Sequence, residues 1–210
     1  MSPADVALRD WEQTSAAFQD ATHWYQEVLA RVGDRWAEPG LGEWDVRALA
    51  GHTSRSLLTV ETYLGQPAGA VEVSSAADYY AATGQIAAGP AVAQRGRDAG
   101  QALGADPVAA VAQIASRVLP LVAGLSGAEL LTTIAGGMRI ADYLPTRIFE
   151  RVVHTADLAA ALGVRAEPPQ LPARLALGLV AELAIINGRA TTVLLASTGR
   201  SGLPPGFSVL

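Results

Sequence analysis

Apolar residues recur at helical spacing along most of this chain. Over the first 32 residues the inward positions are separated alternately by three and four residues. This spacing is typical of a helix packed nearly parallel or antiparallel to its neighbours in a bundle, and it predicts a first helix over residues 4–32. His23 falls on the opposite, polar face and is predicted to be solvated. The predicted inward positions are Leu8, Trp11, Ser15, Phe18, Thr22, Tyr25, Leu29 and Val32.

A second amphipathic pattern begins at Asp45, which suits the N-cap because its side chain can accept a hydrogen bond from a first-turn N–H. His52 lies at the flank of the apolar face of this helix, where it could face another helix across a cleft. Residues 66–105 contain short alanine-rich pieces punctuated by glycine, and they predict a long crossover excursion. Asp106 and Pro107 then form an N-cap followed by proline at the first helical position, and they start a third bundle helix that ends near Gly124.

The stretch from Tyr143 to Gly163 predicts the central helix. It is apolar nearly all round except for one polar strip, so it is expected to be buried. A last helix is predicted from Ala173 to about Ser197. These elements predict an all-α four-helix bundle over residues 1–165, with one extra C-terminal helix and a tail over residues 166–210 packed on it and no separate second domain. The polar strip of the central helix consists of Arg147, Glu150, Arg151, His154 and Asp157.

The amino-acid composition excludes several kinds of catalytic and binding site. All fifteen basic residues are arginine and cysteine is absent, so a lysine Schiff base, a Walker phosphate loop and a thiol nucleophile belonging to the protein are excluded. The net charge of −5 argues against a nucleic-acid partner. The first twenty residues lack a basic region followed by an apolar run, and no stretch offers eighteen uncharged apolar residues, so we expect a cytoplasmic protein without a membrane partner.

Glu150 and His154 are four residues apart and share one helix face, and His52 is a second histidine expected to face the bundle. Two imidazoles and one carboxylate are a ligand set that suits zinc or another borderline divalent metal. The pair alone has low specificity, because Glu and His at this spacing are also an ordinary solvated pairing. The apolar surroundings of the strip favour the metal, since a buried unpaired Glu is costly.

Each of the other polar residues of the central helix has two possible roles. Arg147 and Arg151 are candidates to bind a substrate carboxylate, but either could pair with Glu150 or reach solvent. Asp157 lies one turn beyond His154, and it could orient the second nitrogen of that imidazole or simply be solvated. A metal-free histidine in the core also remains an alternative for His52.

Three segments carry a family resemblance. WDVRALAGHTSRS around His52 and RIFERVVHTADLAAALG around Glu150 and His154 resemble the two signature helices of the mycothiol-dependent maleylpyruvate isomerase family, which belongs to the DinB-like metal-binding bundles. The ending LLASTGRSGLPPGFSVL is similar to the tail of many members.

The resemblance implies a DinB-like up-down-down-up bundle in which His52, Glu150 and His154 act through a bound zinc-like ion. Nickel, iron and manganese are left open. It also implies mycothiol as cosubstrate, held as thiolate, and a small electrophile that is isomerised or receives the thiol. Because only residues 164–210 follow the central helix, the isomerase's separate C-terminal domain is not expected here.

Two alternatives to the enzyme stay open. One is a non-catalytic metal-binding or regulatory bundle. The other is a metal-free bundle that uses its faces for self-association, and a homodimer is compatible with either reading.

Overall fold

The computed structural model describes residues 3–84 and 90–210, with side chains described for residues 11–84 and 91–210. Four long helices form a bundle: α1 (Pro3–Leu29), α2 (Val46–Leu64), α5 (Pro107–Ala123) and α6 (Ile140–Ala161). Both α5 and α6 pack against α1 and α2, so α1 and α2 lie diagonally across the bundle. The predicted all-α bundle is confirmed.

The predicted caps and core positions explain why these helices form. The Asp45 side chain accepts a hydrogen bond from the N–H of Ala48 at 2.7 Å, and that of Asp106 accepts one from Ala109 at 3.0 Å. The inward residues of α1 from Trp11 onward are buried, apart from the half-buried Ser15. Leu8, the first of the predicted inward positions, lies outside the side chains that the structure describes.

The crossover between α2 and α5 contains α3 (Ala76–Thr83) and α4 (Pro90–Ala102), while residues 85–89 of this predicted excursion lie outside the described part. Helix α4 packs closely along α2. A Cβ atom at Gly51 would overlap the backbone of Gly100, and one at Gly96 would overlap the ring of Trp44. Trp44 Nε1 also donates a hydrogen bond to the carbonyl of Ala93 at 2.9 Å. The crossover is thereby fixed against the N-terminal half of α2.

Two connections between bundle helices contain short antiparallel hairpins. One pairs β1 (Pro39–Leu41) with β2 (Trp44–Asp45), after a 3-10 turn at Arg35–Ala37, and the other pairs β3 (Leu130–Thr133) with β4 (Gly136–Arg139). The Thr133 hydroxyl closes the second hairpin by donating to the carbonyl of Gly136 at 2.8 Å. Strands of two to four residues are too short to show a period of two, so the hydrophobic pattern gives no signal for them.

The prediction of one continuous C-terminal helix over residues 173–197 is wrong about its continuity. The structure has two helices, α7 (Gln170–Ile186) and α8 (Ala190–Ser197). They are separated at Gly188, whose φ of 66° is a left-handed conformation that ends a helix. Helix α7 packs on α1 and α6, and the tail returns to α7, where Asn187 donates to the carbonyl of Val209 at 2.9 Å.

Within residues 3–84 and 90–210, no single helix has the length and apolar character needed to cross a membrane. Residues 91–102 and α5 meet that test only as a pair, and they are bent by 95° relative to each other.

Candidate metal centre

Three side chains from two helices converge at one side of the bundle core. His52 extends from α2, and Glu150 and His154 extend from α6. One ligand atom from each lies within 4.8 Å of the others. His154 Nε2 is 3.3 Å from Glu150 Oε2, and the two imidazole rings are 4.8 Å apart and nearly perpendicular. The structure therefore brings together the three residues that the sequence identified.

The donor set fits a divalent metal ion. Two imidazole nitrogens and one carboxylate oxygen at such separations are ligands that zinc accepts, and they leave room for a further ligand. His52 Nδ1 is buried and has no hydrogen-bond partner among the described residues. A buried polar atom without a partner costs free energy, and coordination of a cation by this nitrogen would supply the missing partner.

Two further side chains hold the carboxylate and the imidazole of α6. Asp157 Oδ2 lies 3.1 Å from His154 Nδ1, which is the contact that the predicted orienting role requires. The hydroxyl of Tyr80, on α3, donates to Glu150 Oε1 at 2.7 Å. Tyr80 was missed because it lies in the crossover, 70 positions from Glu150, and its sequence surroundings carry no metal-site pattern.

The charges of the three residues depend on one another. Burial, followed by the charge of His154, lowers the pKa of His52 to about 4. Burial opposes ionisation of Glu150, but the hydrogen bond from His154 and the charge of Arg147 outweigh it and lower the pKa of Glu150 to about 2. Burial likewise opposes charge on His154, yet Asp157 and Glu150 raise its pKa to about 9. Without a metal, His154 is thus an imidazolium between two carboxylates, and His52 is neutral.

The three residues line a pocket of about 730 Å³ between α2, α3, α4, α6 and the C-terminal segment. Its wall includes Arg55, Arg95 and Arg147, while Glu150 is the single acidic residue among the described lining side chains. Arg147 is held in place, because its guanidinium stacks at 5.0 Å from the centre of the Tyr143 ring and its Nε donates to Thr146 at 2.9 Å. The pocket is therefore cationic apart from the carboxylate of the candidate metal site.

Arg151 is not brought to the pocket. It is fully buried on the side of α6 that faces α1, where it donates hydrogen bonds to the carbonyl of Phe18 and the hydroxyls of Thr22 and Ser56. The helical wheel grouped Arg151 with Glu150, but the two are about 100° apart around the helix and face different neighbours. Burial lowers the pKa of Arg151 to about 9, so it remains charged at neutral pH. His23 is exposed on α1, as predicted.

Comparison with known proteins identifies the family. The model of the mycothiol maleylpyruvate isomerase N-terminal domain matches residues 18–159, a range that includes His52, Glu150 and His154. Neither the curated proteins nor the solved structures gave a match. The match and the helical architecture together confirm the DinB-like bundle that the resemblance implied. This chain belongs to the mycothiol maleylpyruvate isomerase N-terminal domain family.

Proposed function

We propose that this protein is a divalent-metal-dependent enzyme that uses a low-molecular-weight thiol of the mycothiol type. The thiol is either transferred to a small electrophile or used to isomerise it between cis and trans forms. The observation that carries the proposal is the convergence of His52, Glu150 and His154 at the wall of a pocket large enough for small molecules.

His52, Glu150 and His154 are the residues that would hold the metal, with zinc the best match to the donor set and nickel, iron or manganese as alternatives. The bound ion would stabilise a thiolate by lowering the pKa of the thiol. Since the chain contains no cysteine, the thiol has to arrive as a cosubstrate.

The pocket arginines indicate the electrophile. Arg147 is already ordered by its aromatic neighbours, whereas the described residues give Arg55 and Arg95 no hydrogen-bond acceptor. Guanidinium groups bind carboxylates through paired hydrogen bonds, so an electrophile with a carboxylate would be held against the thiol. In isomerisation, the thiolate sulfur bonds to one carbon of the double bond, and the π electron pair moves into a conjugated carbonyl to form an enolate. The new single bond rotates, and the enolate pair then restores the double bond as the thiolate leaves. In transfer, the sulfur–carbon bond remains and a leaving group departs with its electron pair.

The proposal includes two statements about context. Residues 166–210 act as part of the same unit as the bundle, because α7 contacts α1 and α6 and Leu210 lines the pocket. The protein works in the cytoplasm, where thiols are kept reduced.

The metal is tested first. Protein purified without an affinity tag is compared with the His52→Ala variant by elemental analysis and by zinc titration. His23→Ala is the matched control, because this histidine is exposed and lies outside the site. We expect one ion per chain in the wild type and in the control, and loss of the ion in His52→Ala. Zinc at a hundredfold excess over its Kd should also stabilise the wild type by about 2.7 kcal/mol. Equal metal content in all three proteins would refute the site.

Thiol chemistry is tested next by incubating the metal-loaded protein with mycothiol and monochlorobimane, with chelated protein as control. We expect conjugation that depends on the metal. The competing function is a non-catalytic module that binds metal and thiol, because the family match establishes the domain and not an activity. Thiol binding without turnover of several electrophiles would support this module over the enzyme.

A further inference from the structure

Tyr80 is the one residue outside α2 and α6 whose hydrogen bond to a candidate metal ligand is seen in the described part of the chain. It reaches Glu150 from α3, and its ring is fixed from two sides. Its ring centre is 5.7 Å from that of Tyr79 and 5.6 Å from that of Phe149, both in edge-to-face geometry. A phenol held in this way has little freedom to move its hydroxyl away from the carboxylate.

The two oxygens of Glu150 have different partners. Oε1 accepts the hydrogen bond from Tyr80 at 2.7 Å, and Oε2 faces His154 Nε2 at 3.3 Å. The imidazole of His52 lies 4.8 Å from that of His154, measured between ring centres. Oε1 accepts the shorter hydrogen bond and is therefore the weaker ligand. The longer contact between Oε2 and His154 Nε2 ends when that nitrogen loses its proton to bind a cation, so Oε2 is the oxygen that becomes available to the ion.

From this geometry we propose that Tyr80 is a positioning residue that restricts Glu150 to binding the metal through a single oxygen, Oε2. This inference rests on the proposed metal site. Its consequence is that one coordination position stays free. A carboxylate that bound through both oxygens would take that position, which the thiol and the electrophile need. The crossover, which contributes no metal ligand among the described residues, would thereby control access to the ion.

The test replaces Tyr80 by Phe, which keeps the ring and removes only the hydroxyl. The matched control is Tyr63→Phe, because Tyr63 packs on Tyr143 in the same aromatic cluster but does not line the pocket. Zinc affinity is measured by titration, and the cobalt-substituted proteins are compared by visible absorption, whose intensity falls as the coordination number rises. Melting curves of the metal-free proteins report any general loss of stability.

We expect Tyr80→Phe to bind zinc about 10- to 100-fold more weakly, the range seen when a hydrogen bond to a ligand is removed. We also expect its cobalt spectrum to lose intensity as Glu150 adds its second oxygen, while Tyr63→Phe retains both the affinity and the spectrum of the wild type. An unchanged cobalt spectrum in Tyr80→Phe would overturn the inference, whether or not the affinity falls. Wild-type protein that fails to bind either metal would instead overturn the proposed function itself.

Discussion

The crossing of α2 and α4 allows the sharpest test of how this fold supports its candidate site. The two helices meet at Gly51 and Gly100, where a Cβ on either residue would meet main-chain atoms of the other helix. For Gly100 the nearest such atom is the carbonyl oxygen of Arg47, only 2.7 Å from the position of the missing Cβ. Main-chain atoms cannot rotate aside as a side chain can. Alanine at position 51 therefore has to push α4 away from α2.

The cost of Gly51→Ala follows from two opposing effects. Alanine favours the helical conformation over glycine by about 1 kcal/mol in the interior of a helix. Overpacking costs about 1–3 kcal/mol or more, and contact with rigid backbone puts this case at or above the upper end. We expect a net loss of about 2 kcal/mol in the free energy of unfolding, which for a chain of this size lowers Tm by about 4–8 °C.

Gly178→Ala is the matched control. Gly178 lies inside α7, and nothing approaches the position of its missing Cβ within 4 Å. Here only the helical preference acts, so we expect stabilisation by about 0.5–1 kcal/mol. Urea unfolding of the metal-free proteins measures both changes. A Gly51→Ala protein whose unfolding free energy stays within about 0.5 kcal/mol of the wild type would show that the reasoning about this crossing is wrong.

The same variant links packing to the site. His52 follows Gly51 directly, and its ring stacks at 4.5 Å on that of Trp44, which in turn contacts α4 at Gly96. Moving α4 loosens this stack, so Gly51→Ala should weaken zinc binding whereas Gly178→Ala should not. Titration of both variants at a temperature where each is folded decides this. Equal zinc affinities would mean that α4 does not help to orient His52.

Three further results are expected. Arg151→Met should change the free energy of unfolding by less than about 2 kcal/mol, because it removes a buried charge and the two hydroxyls that accept from it keep other hydrogen bonds. It should also leave KM unchanged, and a raised KM would show that Arg151 contributes to substrate binding. Zinc binding near pH 7.5 should release about one proton, because the pKa of His154 is about 9 without metal and the imidazole has to lose its proton to bind the ion. Calorimetry in buffers of different ionisation enthalpy measures this release, and a value of zero would refute the prediction. A double variant that combines Arg55→Gln and Arg95→Gln should raise KM for an anionic electrophile about tenfold or more and leave zinc affinity unchanged. An unchanged KM would exclude these arginines from substrate binding.

Much of the bundle could be predicted because its signals are local. The caps at Asp45 and Asp106 act on N–H groups three residues away, and the alternating spacing in α1 directly reflects the helical repeat. Glu150 and His154 could be paired for the same reason. The prediction that His52 lies near Glu150 and His154 rested on its position at the flank of α2 and on the family resemblance. The structure places a ligand atom of each of the three residues within 4.8 Å of the others.

Features set by contacts between distant segments could not be predicted in this way. The hairpin β3–β4 is stabilised partly by the start of the crossover, where the carbonyl of Gln66 accepts the N–H of Thr132 at 2.7 Å. The break at Gly188 depends on a left-handed glycine, and glycine is also common inside these helices, so its presence alone did not mark an end. The contact of Tyr80 with Glu150 has no local signal at all.

Arg147 and Arg151 show where a helical wheel stops being informative. They are one turn apart and differ by only about 40° around α6, so any periodicity assigns them to the same face. Yet Arg147 stacks on tyrosines at the wall of the pocket, and Arg151 lies over the ring of Phe18 at 4.2 Å in the interface with α1. Those 40° matter because α6 is covered by several neighbours, and the boundary between α1 and the pocket falls between the two residues. Which of the two arginines reaches the pocket is therefore decided by the helices packed around α6, and this information enters only with the tertiary structure.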